Sequence, residues 1–173
     1  YKYDMRNRCI GTKLPGCSWE YKVYDLADRL IFSQTGEQRK RGEWQFALPD
    51  AMGRECIMGI CKNAIDPFNN PILNTCVKCE RTDNASLLGY SVTGVALNSV
   101  TVLTAKYYDD YLFKMQNGTL ISNSSLNYEA NSEFGERYTT RSQGLQTGNA
   151  TARLDKNGSV TGYDYTTTYY DYN

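Results

Sequence analysis

Apolar and polar side chains alternate along much of this chain. Trp44, Phe46 and Leu48 alternate with Glu43, Gln45 and Ala47, and Leu30 and Phe32 share a face. Val100, Val102 and Thr104 oppose Thr101, Leu103 and Ala105, while Trp19, Tyr21 and Val23 point one way and Tyr24 the other. A period of two marks strands with two distinct faces. Helical periodicity is weak throughout. The stretch TGEQRKRGEW (35–44), bounded by Gly36 and Gly42, is the best candidate for a helical turn. Segment 62–75 carries two prolines and several asparagines, so it reads as a loop. Beyond it the pattern predicts a meander with strands near 99–108, 111–116, 119–122, 125–130, 145–154 and 159–170. QNGT (116–119) and KNGS (156–159) are the sharpest turn signals there, because Asn-Gly accepts positive φ at low cost. A longer, partly irregular connection is expected over 131–144. The predicted class is all-β, an antiparallel twisted sheet of successive hairpins, and no linker or charge block divides 1–173, which reads as one unit.

A motif recurs between the strands. YDMRNR (3–8), YDLADR (24–29) and PDAMGR (49–54) each contain Asp-x-x-[Asn/Asp/Gly]-Arg, spaced by 21 and then 25 residues. LDKNGS (154–159) keeps Asp155 and Gly158 but replaces the arginine, and Asp171 in YYDYN (169–173) starts the unit again. The physical reading is a hairpin turn. Asp4, Asp25 and Asp50 each stand at a first turn position, where a carboxylate can accept from the amide two residues on. The fourth position must be left-handed, which Asn7, Asp28 and Gly53 tolerate. That describes a three-residue loop with a G1 bulge. Arg8, Arg29 and Arg54 then begin the returning strands, where each can reach an acidic neighbour or stack on a tyrosine ring.

Composition narrows the function classes. Nineteen basic side chains balance nineteen acidic ones, so the chain has no electrostatic footprint for nucleic acid. No apolar run approaches the length of a membrane span. Histidine is absent, which excludes a Ser-His-Asp or Cys-His hydrolase within this chain. Tyrosine is abundant, fifteen against five Phe and two Trp, and it suits half-buried pleated surfaces. No signal peptide is visible, and the first residue is Tyr1 rather than Met, so upstream residues are expected to be missing.

YKYDMRNR (1–8), YKVYDLADRLIFSQ (21–34) and YYDYN (169–173) resemble the YD repeats of bacterial RHS/YD-repeat proteins, with pattern Tyr-x-Tyr-Asp-x-x-Gly-Arg. The stretch 24–55 resembles the linking region of large RHS-type proteins of Gram-negative bacteria, and VTVLTAKYYDDYLF (100–113) fits that context. The chain departs from the pattern where Asn7 and Asp28 replace Gly, and 62–98 shows no YD unit. The resemblance implies a β-ribbon that spirals into a shell, enclosing a toxin or effector in some members and displayed at the surface in others. It implies an exported, cell-surface or extracellular location, a non-catalytic structural role without cofactors, and a slice of a longer protein. The partners it implies are the rest of the same chain and an enclosed effector. Open sheet edges in such a slice favour self-association.

The sequence also offers other chemistry. Cys56, Cys61, Cys76 and Cys79 form C-x4-C and C-x2-C pairs 14 residues apart, a spacing within the loose range for zinc. The knuckle glycine or proline is missing from CVKC, which disfavours that site. An even cysteine count in an exported protein also allows disulfides, Cys9–Cys17 around Pro15-Gly16, or 56/61 with 76/79. Asp109, Asp110, Glu20, Glu37 and Glu43 offer no spacing that selects a glycosidase pair. The alternative function is a carbohydrate-binding β-module in which exposed tyrosines stack a glycan. Five N-x-[ST] matches, at Asn84, Asn117, Asn123, Asn149 and Asn157, read as turn and loop composition.

Overall fold

A computed structural model of the chain describes all residues except 70, 83–85, 117–118, 121–127, 129–141 and 171–173, and leaves aside the side chains of 71–72, 115–116 and 119–120. The repeat start at Asp171, the sequons at Asn84, Asn117 and Asn123, and most of the expected strand 125–130 and connection 131–144 lie outside the described residues.

The protein is all-β, built from successive antiparallel hairpins, and it divides into two compact units. The first comprises Tyr1–Glu80 and Ser91–Val102. In it β1 (Lys2–Tyr3), β2 (Cys9–Thr12), β3 (Glu20–Tyr24), β4 (Leu30–Gln34), β5 (Trp44–Pro49) and β6 (Glu55–Cys61) lie side by side in chain order. Turns in such a meander alternate between the two strand ends. The loops β1–β2, β3–β4 and β5–β6 therefore share one end, and these are the three Asp-x-x-[Asn/Asp/Gly]-Arg segments. One repeat is one hairpin plus the return to the next, which accounts for spacings of 21 and 25 residues.

At the other end sits α1 (Gly36–Lys40), a single turn between β4 and β5. Thr35 caps it reciprocally with Gln38: the Gln38 amide donates to Thr35 Oγ1 at 3.3 Å and the Thr35 amide to Gln38 Oε1 at 2.8 Å. Gly42, at φ 66°, then turns the chain into β5.

Trp44, Phe46 and Leu48 all face the core, as their alternation predicts. Leu30 and Phe32 do not share a face: Leu30 is 42% exposed, while Ile31 and Phe32 are both fully buried. The cause is a second irregularity, one residue past each turn. Tyr24 pairs with Leu30 but Val23 with Phe32, leaving Ile31 as an extra residue on the returning strand. The same slip leaves Ile10 between Tyr3↔Cys9 and Lys2↔Gly11, and Cys56 between Pro49↔Glu55 and Leu48↔Ile57. A bulge places two successive side chains on one face. Ile10-Gly11, Ile31-Phe32 and Cys56-Ile57 are accordingly buried as neighbours.

After β6 the chain runs through a loop with a 3-10 turn at Pro71–Asn74 and enters β7 (Lys78–Arg81), which pairs with β8 (Tyr90–Thr93). β9 (Thr101–Tyr108) begins in the first unit, where Gly59 of β6 packs directly on the backbone of Thr101 and Val102.

The second unit comprises Arg81–Tyr90 and Leu103–Asn173. Besides most of β9 it holds β10 (Met115–Gln116), β11 (Thr119–Leu120), β12 (Gln146–Leu154) and β13 (Val160–Thr167). β12 pairs antiparallel with β9 on one side and β13 on the other. Residues 111–116 are not one strand. Asp109 turns the chain at φ 72°, Asp110 Oδ1 accepts from the Leu112 amide at 2.9 Å, and Leu112–Lys114 form a 3-10 turn before β10. That turn buries Phe113 against Tyr107, with ring centroids 4.4 Å apart and planes 5° from parallel. Tyr90 also stacks on Tyr107 at 5.9 Å, and the Arg81 guanidinium lies 5.0 and 4.9 Å from those two rings.

Gly148 of β12 lies where any Cβ would collide with the Phe113 ring. Gly148→Ala is expected to lower unfolding free energy by about 1–3 kcal/mol in urea titration, as overpacking does.

Candidate functional site

Four segments adopt one turn. In each, the fourth residue donates its amide to the first carbonyl and the first amide donates to the fifth carbonyl. The distances are 3.0 and 3.1 Å at Asp4, 3.1 and 3.0 Å at Asp25, 3.1 and 2.8 Å at Asp50, and 3.0 and 2.9 Å at Asp155. The fourth residue is left-handed every time: Asn7 at φ 60°, Asp28 at 61°, Gly53 at 84° and Gly158 at 81°. Oδ1 of each leading aspartate accepts two amides, from the third and fifth residues, at 2.8–3.0 Å. Those amides point into the loop and have no strand partner, so the carboxylate does what a backbone acceptor would.

The second carboxylate oxygen holds the arginine. Arg8 Nε reaches Asp4 Oδ2 at 2.7 Å, Arg29 Nε reaches Asp25 Oδ2 at 3.0 Å, and Arg54 Nε reaches Asp50 Oδ2 at 2.7 Å. With Nε on the carboxylate, Nη1 of Arg8 and of Arg29 reaches onward. Arg8 Nη1 donates to the Asp25 carbonyl and to Asp28 Oδ1, both at 2.8 Å, and its guanidinium lies 5.2 Å from the Tyr24 ring centroid. Arg29 Nη1 donates to the Asp50 carbonyl at 3.2 Å. Successive turns stand two strands apart, about 10 Å. Arg8 and Arg29 each bridge that gap to the head of the next turn. Arg6 adds a parallel link, donating to the Leu26 carbonyl at 2.8 Å and Asp28 Oδ1 at 2.7 Å.

The middle turn has a further connection. Asp25 is fully buried and its Oδ2 also accepts the Val77 amide at 3.1 Å, while Arg29 Nη2 donates to the Val77 carbonyl at 2.6 Å. The ion pair thus grips both polar groups of one backbone residue, as a neighbouring strand would. Burial alone raises the Asp25 pKa, but the Arg29 side chain and the Arg29 and Val77 amides outweigh it and hold it below the usual carboxylate range. Asp4 is lowered by the same balance: burial is overcome by bonds from Arg8 and Arg6.

Beside the first two turns lies a groove of about 560 Å³, lined by Tyr3, Met5, Arg6, Leu26, Phe68 and Leu73 among others. All six cysteines are free thiols, so neither Cys9–Cys17 nor a bridge from 56/61 to 76/79 is present, and no group of three or more potential metal ligands converges among the described residues. Burial pushes the Cys61 thiol up to about 11, and it raises Cys79 further, with the nearby Cys56 adding to the effect. Glu37 and Glu43 are engaged locally by Lys40 and Arg41, each at 2.7 Å. Of the described sequons, Asn149 lies within β12 and Asn157 in the Asp155 turn.

Asp25→Asn is expected to cost about 3 kcal/mol, because it leaves the half-buried Arg29 without its counter-charge. A carboxylate held low when folded contributes its stability above the unfolded pKa and loses it as pH falls through the folded one. Wild-type stability should therefore drop below about pH 4, and the Asp25→Asn chain should show a shallower acid slope in pH-dependent urea titration. Asn7 spends positive φ without a side-chain bond, so Asn7→Gly should raise stability by about 0.5–1 kcal/mol. Asp28→Gly, which also removes the acceptor of Arg6 and Arg8, should not.

No protein-family model, curated protein or solved structure matches this chain, so its function has to be read from these turns.

Proposed function

We propose that this chain is a non-catalytic structural segment of an RHS/YD-repeat protein, part of a β-shell or surface ribbon that encloses or presents a toxin or effector domain. One observation carries the reading: the arginines of the first two Asp-x-x-[Asn/Asp/Gly]-Arg turns reach the head of the following turn, Arg8 to Asp25 and Arg29 to Asp50. A site built for catalysis leaves its charged groups facing a substrate. Here the aspartate is consumed in closing its own turn and the arginine of the first two turns in joining one hairpin to the next, which is what an extensible ribbon requires. An exported, bacterial cell-surface or extracellular setting follows from the same reading, as do the rest of the chain and an enclosed effector as its partners.

The coding region around this segment is the first test: further tyrosine–aspartate units and a variable C-terminal domain are expected. In the whole protein that domain should resist limited proteolysis, and Arg8→Ala with Arg29→Ala together should expose it. Equal digestion in wild type and the double variant would remove the structural reading.

A further inference from the structure

The relay has a donor and an acceptor side, and its acceptor side is also present at the first turn. In the second turn the acceptor is a set of three groups: the Asp25 carbonyl, Asp28 Oδ1 and the Tyr24 ring, all engaged by Arg8. The Tyr24 hydroxyl completes the set, donating to the Cys9 carbonyl at 3.3 Å beside the incoming arginine. The first turn repeats every element at the same positions, Tyr3 for Tyr24, Asp4 for Asp25 and Asn7 for Asp28, with the same left-handed backbone at 60° against 61°. The Tyr3 ring meets Tyr1, with centroids 6.5 Å apart, and no guanidinium lies over it among the described residues. Among the described residues the Asp4 carbonyl accepts only the Asn7 amide, and the Tyr3 ring is 60% exposed. β1 stands at the end of the strand order, so the edge beyond Tyr3 carries no strand among the described residues.

We propose that the Tyr3–Asp4–Asn7 face is a docking surface for an arginine presented by another hairpin turn of the Asp-x-x-[Gly/Asn/Asp]-Arg type. The incoming guanidinium lies over Tyr3 and donates to the Asp4 carbonyl and the Asn7 side-chain oxygen. Tyr3 donates its hydroxyl to the strand that follows the arginine. This inference rests on the structural reading above and names the partner of the same relay. The contact between the first and second turns supplies the pattern. One difference sets its strength: Asn7 offers a neutral oxygen where Asp28 offers a charged one, so this surface should hold a guanidinium less tightly than the second turn does. The Asp155 turn is not a donor for it, because Ser159 stands where the arginine would be.

The test uses the whole chain, labelled for NMR, and a peptide of Glu20–Gln34 with its ends joined so that the hairpin forms. Cross-strand contacts confirm the peptide's fold before titration. The expected result is shifts confined to the amides of Tyr3 to Arg8. A peptide with citrulline at Arg29, which keeps the shape and loses the charge, should bind at least fivefold more weakly. Asn7→Asp in the protein should tighten binding at least threefold, and added salt should reverse that gain. A second arm joins the same hairpin ahead of Tyr1 through a flexible linker, which raises its local concentration into the millimolar range. Absence of shifts at Tyr3, Asp4 and Asn7 in both arms would overturn the proposal, and so would equal binding by the citrulline peptide. Either failure leaves the internal links of Arg8 and Arg29 untouched, so the proteolysis experiment on the structural reading is decided separately.

Discussion

The carboxylate at the head of each turn is the interaction on which the rest of the first unit depends. A three-residue loop turns two amides inward where no strand can meet them, and Oδ1 accepts both. Oδ2 then fixes the arginine at the start of the returning strand. At Asp25 five donors surround one buried carboxylate: the amides of Ala27, Arg29 and Val77, and Nε and Nη2 of Arg29. Burying an unpaired charge is far too costly for a domain of marginal stability. The full set of donors is what lets Asp25 sit in the interior with no exposed surface.

The arrangement at the turn also shapes the sheet beyond it. A left-handed fourth residue followed by a second bulge adds local twist to every hairpin. The bulge also breaks the alternation, so that Ile31 and Phe32, or Cys56 and Ile57, enter the same core side by side. The repeat therefore delivers twist and a pair of adjacent core residues together. In β12–β13 the turn and the bulge recur, with Thr161 as the extra residue between Leu154↔Val160 and Arg153↔Gly162. Thr161 is exposed, and the core of that unit is built on stacked rings of Tyr90, Tyr107 and Phe113.

Much of this was legible in the sequence because turn chemistry is local. An aspartate followed three residues later by a residue tolerant of positive φ can be placed by inspection, and so can the strands on either side. The helical turn within 35–44 and the faces of Trp44, Phe46 and Leu48 were readable from equally local patterns. Three things were not. The second bulge has no residue signature: Ile10, Ile31 and Cys56 share no chemistry that marks an extra residue. The grip of Asp25 and Arg29 on Val77 joins positions 52 residues apart and leaves no trace in local spacing. Residues 111–116 alternate well enough for a strand, but burying Phe113 against Tyr107 favours a tight turn, and tertiary packing overrides the local pattern. The exposure of Leu30 follows from the bulge.

The choice of arginine at the fifth position is explained by the same geometry. A lysine ammonium can neutralise the aspartate, but it is one point of charge. Once it meets Oδ2 it has no rigid arm to extend. The guanidinium is a planar fork with five donors, so Nε can bind the turn's own carboxylate while Nη1 reaches the next turn. The left-handed position trades in the opposite direction. Gly53 takes positive φ freely and contributes no contact of its own, whereas Asp28 bears the conformational cost and in return accepts both Arg6 and Arg8. A glycine at position 28 would relax the backbone and leave two guanidinium groups short of an acceptor. The departure from glycine at that turn is therefore consistent with the relay: it occurs where two arginines arrive, and glycine stands at the third turn, where Arg29 needs only the Asp50 carbonyl.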